Sequence, residues 1–104
     1  MIKIVENYNN GAYWYKRYSN GLLEQGGYIA TTISTNSSYN LAFPTSFTSP
    51  PLCFRTTMYA PRSSDSSGNA LTVKTATMTA TGVTLINDGN VTNKQGFYWE
   101  AMGY

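Results

Sequence analysis

Asn20-Gly21 sits between two segments in which aromatic or apolar residues alternate with polar ones, and this arrangement constrains the fold more than any other feature of the chain. Asn-Gly is the preferred centre of a two-residue type I′ turn, because both central residues need positive φ. Such a turn fixes a hairpin register. Ser19 then faces Leu22, Tyr18 faces Leu23, Arg17 faces Glu24, Lys16 faces Gln25, Tyr15 faces Gly26, Trp14 faces Gly27 and Tyr13 faces Tyr28. The register sets opposite charges across from each other and lays Tyr15 and Trp14 over glycines, where a ring can cover bare backbone. Strand alternation sorts the faces. Trp14, Lys16, Tyr18, Leu23, Gln25 and Ile29 share one side, which resembles a core face at its ends. Tyr13, Tyr15, Arg17, Leu22, Glu24 and Tyr28 share the other. Three tyrosines, a leucine and an ion pair make that second side a candidate subunit interface. The alternative is that its tyrosines decorate an ordinary β-surface.

The remaining periodic segments also have strand character. Helix formers are sparse, and β-branched and aromatic residues fill the alternating stretches. Strands are expected near 12–18, 22–33, 39–43, 52–59, 71–79, 83–87 and 96–103, a spacing typical of a small antiparallel β-sandwich. At 104 residues the chain is one domain. Residues 60 to 69 form the one low-complexity stretch and are expected to be an exposed loop.

Composition excludes several functions. Charged residues are only 12%, against about 25% in ordinary globular domains, and Lys16-Arg17 is the only adjacent basic pair. A nucleic-acid binder needs a basic stripe that this chain lacks. No apolar run approaches the length of a membrane helix. With no histidine and a single cysteine, Cys53, neither a zinc site nor a Ser-His-Asp or Cys-His engine has its residues. No cofactor is implied. Carboxylates are the remaining acid/base candidates, and a glycosidase needs two at a defined separation. Glu24 is expected to be engaged by Arg17, Asp65 and Asp88 fall in turns, and Glu100 stands in an aromatic strand as a structural carboxylate. The chain therefore reads as non-enzymatic.

Three segments carry a resemblance. Residues 14 to 27, Trp-Tyr-Lys-Arg-Tyr-Ser-Asn-Gly-Leu-Leu-Glu-Gln-Gly-Gly, combine an aromatic-basic run, a Ser-Asn-Gly turn and Glu-Gln-Gly-Gly. Leu41-Ala42-Phe43-Pro44 is followed by Phe47. Phe97-Tyr98-Trp99-Glu100-Ala101-Met102-Gly103-Tyr104 closes the chain. In order and spacing this resembles the C-terminal domain of bacteriophage tail-fibre proteins over about residues 10 to 104. The family usually has aspartate at Asn20 and often tryptophan or an apolar residue at Leu22. Residues 48 to 95 agree only in texture.

The resemblance implies a β-sandwich tip on a virion tail fibre, assembled as a homotrimer, which binds a host-cell surface receptor, expected to be a glycan. Residues 1–11 would connect to a shaft and residues 12–104 would form the tip domain. A lectin-like module or a structural trimerisation cap is the alternative. Binding function concentrates in loops. The strand at 52–59 is expected to run beside 71–79, which would bring the loop at 60–69 and the turn at 87–90 to one end. Tyr59, Arg62, Asp65, Asn69, Asn87 and Asp88 are the expected receptor contacts, with Tyr59 as the stacking ring.

Overall fold

The computed structural model describes residues 1–31, 33–34, 36–58, 71–87 and 96–104. Among these residues, eight strands form two antiparallel sheets: β1 (Ile4–Asn9), β2 (Tyr13–Tyr18), β3 (Leu23–Ile29), β4 (Ser38–Ala42), β5 (Cys53–Met58), β6 (Thr72–Lys74), β7 (Gly82–Ile86) and β8 (Phe97–Gly103). The larger sheet has the order β1-β2-β3-β8-β5, and the smaller has the order β4-β7-β6. Among the described residues the only helical element is a 3-10 turn at Thr75–Thr77, so the all-β expectation holds. The 71–79 segment leaves the sheet at that turn, and the strand expected at 22–33 ends at Ile29.

Alternation builds the core between the sheets. Leu23 and Gln25 of β3 and Phe97, Trp99 and Ala101 of β8 point inward and are buried. Leu41, Val83 and Leu85 answer from the smaller sheet, joined by Phe43 and Phe47 from the segment after β4. Phe43 sits edge-on to Phe47 at 5.3 Å and 5.7 Å from Trp99, geometry that aromatic quadrupoles favour. The polar side chain of Gln25 is fully buried as well. Its Nε2 donates to the Thr45 carbonyl at 2.6 Å, and its Oε1 accepts from the Thr45 amide at 3.1 Å.

The Asn20-Gly21 hairpin exists, but its register is shifted by one residue. Trp14 faces Gly26, Tyr15 faces Gln25, Lys16 faces Glu24 and Arg17 faces Leu23. The cause is a three-residue loop. The Gly21 amide donates to the Tyr18 carbonyl, closing a turn across Ser19-Asn20, and Gly21 alone takes positive φ, at 91°. This is the type I turn followed by a left-handed glycine, the commonest three-residue hairpin loop. The six residues expected on one face are therefore split. Tyr13, Tyr15 and Arg17 lie on the inner side with Leu23 and Gln25, and Glu24 and Tyr28 lie on the outer side. Arg17 does not pair with Glu24.

Residues expected to be only a connection include β1, which forms a second hairpin with β2. Its turn is built by Asn9, Asn10 and Gly11. Asn10 Oδ1 accepts from the amides of Ala12 and Tyr13, and Gly11 takes φ of 89°. Arg17 reaches β1 and donates from Nε to Glu6 Oε1 at 3.0 Å. The pair is exposed, with side chains 34% and 51% accessible. A double-mutant cycle on Arg17→Ala and Glu6→Ala should give a coupling of about 0.2–1 kcal/mol, read by denaturant unfolding. The same cycle on Arg17 and Glu24 should give none.

β5 pairs with β8, not with β6. The expected neighbour of 52–59 is therefore corrected, while β6 and β7 pair as anticipated. Strand ends nevertheless gather. Met58 and Ile29 both face Phe97, and Thr72 and Ser38 both face Ile86. Tyr39 packs edge-on against Phe97 at 5.8 Å, joining the two sets. The strand ends that three of the four links between the sheets join thus lie at one end of the sandwich, and Ala42 and Cys53, which the fourth link joins, lie at the other. Ile4 faces Tyr18 at this second end as well, where Gly21 lies against the ring of Tyr104.

Candidate functional site

Outward-facing residues of the larger sheet line up across strands. One row runs Trp14, Gly26, Glu100, Arg55 over β2, β3, β8 and β5. The next row, toward the crossing end, runs Tyr28, Tyr98, Thr57, with Ala12 joined to Tyr28 through an amide-carbonyl bond at 3.0 Å. These two rows and the Gly11-Ala12 turn enclose a groove of about 410 Å³. That lies within the roughly 300–1,000 Å³ usual for ligand clefts.

Glycine makes the groove possible. A Cβ on Gly26 would fall 2.9 Å from Trp14 Cζ2 and 3.0 Å from Trp14 Cε2, so the indole lies against bare backbone on one face. Trp14 also lines the groove. Tyr28 and Tyr98 stack obliquely, with ring centroids 4.8 Å apart, and Tyr98 is 51% exposed. The guanidinium of Arg55 pairs with the carboxylate of Glu100, on side chains 79% and 39% accessible. The groove thus offers two ring surfaces, a hydroxyl and a charge-balanced pair. Among the described residues no group of three or more metal-ligating side chains exists.

The inner side of the β1–β2 wing carries a different cluster. Tyr8 stacks on Tyr15 at 5.5 Å and meets Tyr13 at 5.4 Å. Hydrogen bonding between the Tyr8 and Tyr13 hydroxyls holds the Tyr13 phenol above its usual range. Every residue of β1 is exposed. On the outer side a hydrogen bond to Glu24 raises the Tyr18 phenol in the same sense.

Of the expected receptor contacts, Tyr59, Arg62, Asp65, Asn69 and Asp88 lie outside the described residues. Asn87 is 1% exposed, and its Nδ2 donates to the Ile33 carbonyl at 3.0 Å. Its backbone also bonds to Asn36 and Ser37. Asn87 therefore ties β7 to the crossing after β3 and presents no side chain to solvent. Sequence reasoning missed Tyr98, Arg55 and Glu100 as neighbours. Their alternation was legible, with Arg55 and Thr57 on one side of β5 and Tyr98 and Glu100 on one side of β8. The pairing of those strands was not, because no local turn links them.

The chain is a two-sheet β-domain whose larger sheet exposes aromatic rings on its outer face. The comparisons make that specific. Residues 16–104 match the family described as tail fiber protein gp53-like, C-terminal, and the chain belongs to it. It is the C-terminal domain of a virion tail fibre. All of the chain superposes on an R2 pyocin fiber of P. aeruginosa comprising C-terminal residues, with TM-score 0.69 and 20% identity. It superposes equally on an N-truncated R2-type pyocin tail fiber, with TM-score 0.70 and 20% identity. An N-truncated R1-type pyocin tail fiber gives TM-score 0.69 and 17% identity. The chain spans 26% and 38% of the two R2 structures and 86% of the R1 structure. No curated protein matches.

Proposed function

We propose that this domain is the receptor-binding tip of its fibre, that it acts as a homotrimer without catalysis, and that its receptor is a glycan on the host-cell surface. The observation that carries the reading is the polarity of the fold. Of the four links between the sheets, only the link from Ala42 to Cys53 lies at the Ile4 end, and three join strand ends opposite Ile4. A shaft joined ahead of β1 would hold that end outward. Segments there can vary without disturbing the core, as recognition requires. Tyr59, Arg62, Asp65 and Asn69 follow Met58 in the chain and Asp88 follows Asn87, both of which stand at that end.

Subunit contact is assigned to the wing face of Tyr8, Tyr13, Tyr15 and Arg17, with exposed Ile4 and Val5 nearby on β1. Apolar, aromatic surface of this kind suits a partner subunit. Light scattering should give three subunits at micromolar concentration, and a single-subunit mass would contradict the trimer. The purified chain should block adsorption of virions to host cells. Combined replacement of Arg62, Asp65 and Asp88 by alanine should weaken the block. A folded chain that never competes would favour a purely structural cap.

A further inference from the structure

We infer that the outer groove is itself a saccharide site, separate from the loop segments, and that it selects a neutral pyranose over an acidic one. The inference rests on the receptor-binding reading and assigns that reading a second contact surface. The shape comes first. The rings of Trp14 and Tyr98 belong to adjacent rows of the sheet, with Gly26 between Trp14 and Glu100. A pyranose has an apolar face of C–H groups and an equatorial rim of hydroxyls. Its apolar face suits an exposed ring such as Tyr98, which is half accessible although β8 is flanked by β3 and β5.

The rim chemistry follows from Arg55 and Glu100. A carboxylate accepts only, and a guanidinium donates only. Side by side they match adjacent hydroxyls, each of which can donate to one group and accept from the other. Thr57 supplies a further hydroxyl beside Tyr98. Charge points to the class of sugar. Arg55 is paired with Glu100, and among the described residues that line the groove Arg55 is the one cation. A uronate or phosphate would have to displace Glu100 from Arg55 and then lie beside the displaced carboxylate. A neutral sugar leaves the pair intact. The wall of paired charges also argues against a second copy as occupant, because charged residues are depleted at the centres of subunit contacts.

The experiment is an array of neutral saccharides, bearing glucose, galactose, mannose, rhamnose or N-acetylhexosamine, beside acidic ones bearing uronate or phosphate. It is probed with the intact chain, Tyr98→Ala and Glu100→Gln. Circular dichroism and light scattering establish that each variant keeps its fold and mass. The intact chain should bind neutral members, and Tyr98→Ala should weaken that binding at least tenfold. Glu100→Gln should weaken neutral binding and gain acidic members, because Arg55 is then uncompensated. Equal binding by all three proteins, or an acidic preference in the intact chain, overturns the groove assignment. Loss of oligomeric mass in Tyr98→Ala overturns it too, since the face would then be a subunit contact. Adsorption block by the intact chain separates the two readings. If the block persists while groove variants behave as the parent, only this inference fails. If the intact chain neither blocks adsorption nor binds any saccharide, the receptor-binding reading fails and takes this one with it.

Discussion

Gln25→Ala is expected to lower stability by about 2–4 kcal/mol, a loss that moves the thermal midpoint by about 4–8 °C per kcal/mol in a domain of this size. The side chain is fully buried and holds both backbone polar groups of Thr45. That single amide acts as a strand partner for a segment that has left the sheet at Pro44. It fixes the residues between Phe43 and Phe47, whose rings complete the core against Trp99. Removal leaves a cavity and two backbone groups short of partners. Gln25→Leu restores volume without hydrogen bonds, so its difference from Gln25→Ala isolates the packing contribution. Gln25→Glu adds a pH signature. Burial and the Thr45 carbonyl both disfavour a charged carboxyl there, so its folded pKa must rise above the unfolded value of about 4.3. Stability is then fully present below that value and is lost as pH rises through the folded pKa. Urea titrations of Gln25→Glu and the parent should converge toward acid pH. A difference that does not change with pH would remove Gln25 from its clamping role.

The limits of the sequence are visible at particular residues. Periodicity located the hairpin, the inward set on β8 and the inward placement of Leu23 and Gln25, because one-sided burial leaves a period-two trace. It could not choose between a two-residue and a three-residue loop at Ser19-Asn20-Gly21. Both loops use Asn-Gly. Charge pairing failed to discriminate, since Arg17 faces Glu24 in one register and Lys16 faces the same glutamate in the other. Tryptophan over glycine also occurs in both. A shift of one residue still regroups every side chain across the pair. β1 was missed because all its residues are exposed, which erases the burial pattern. The signal that could have found it was Asn10-Gly11, a second Asn-Gly pair ten residues before the first. The groove depends on β5 lying beside β8, a pairing across the chain that no local chemistry encodes. Resemblance to tail-fibre domains supplied the family where periodicity supplied only the class.

Gly26→Ala is expected to cost about 1–3 kcal/mol and to disturb the groove in the same step. Gly26 does not have positive φ, so alanine meets no backbone barrier, and stiffening the unfolded chain would by itself add about 0.4–1 kcal/mol of stability. Contact reverses the sign. The new Cβ would lie 2.6 Å from the Trp99 carbonyl oxygen and 2.9 Å from Trp14 Cζ2. Trp14 can rotate away, because its ring stands at the outer face. Trp99 O cannot, because it belongs to the backbone of β8, which is paired on both sides by β3 and β5. Two parts of the cost are therefore separable. In a Trp14→Ala background, Gly26→Ala should be milder, by the share that the ring contributes, but still unfavourable through Trp99. Tryptophan fluorescence should shift in Gly26→Ala as the indole leaves its glycine seat, and saccharide binding at the groove should weaken with it. Full stability together with unchanged fluorescence would mean that Trp14 does not rest on Gly26.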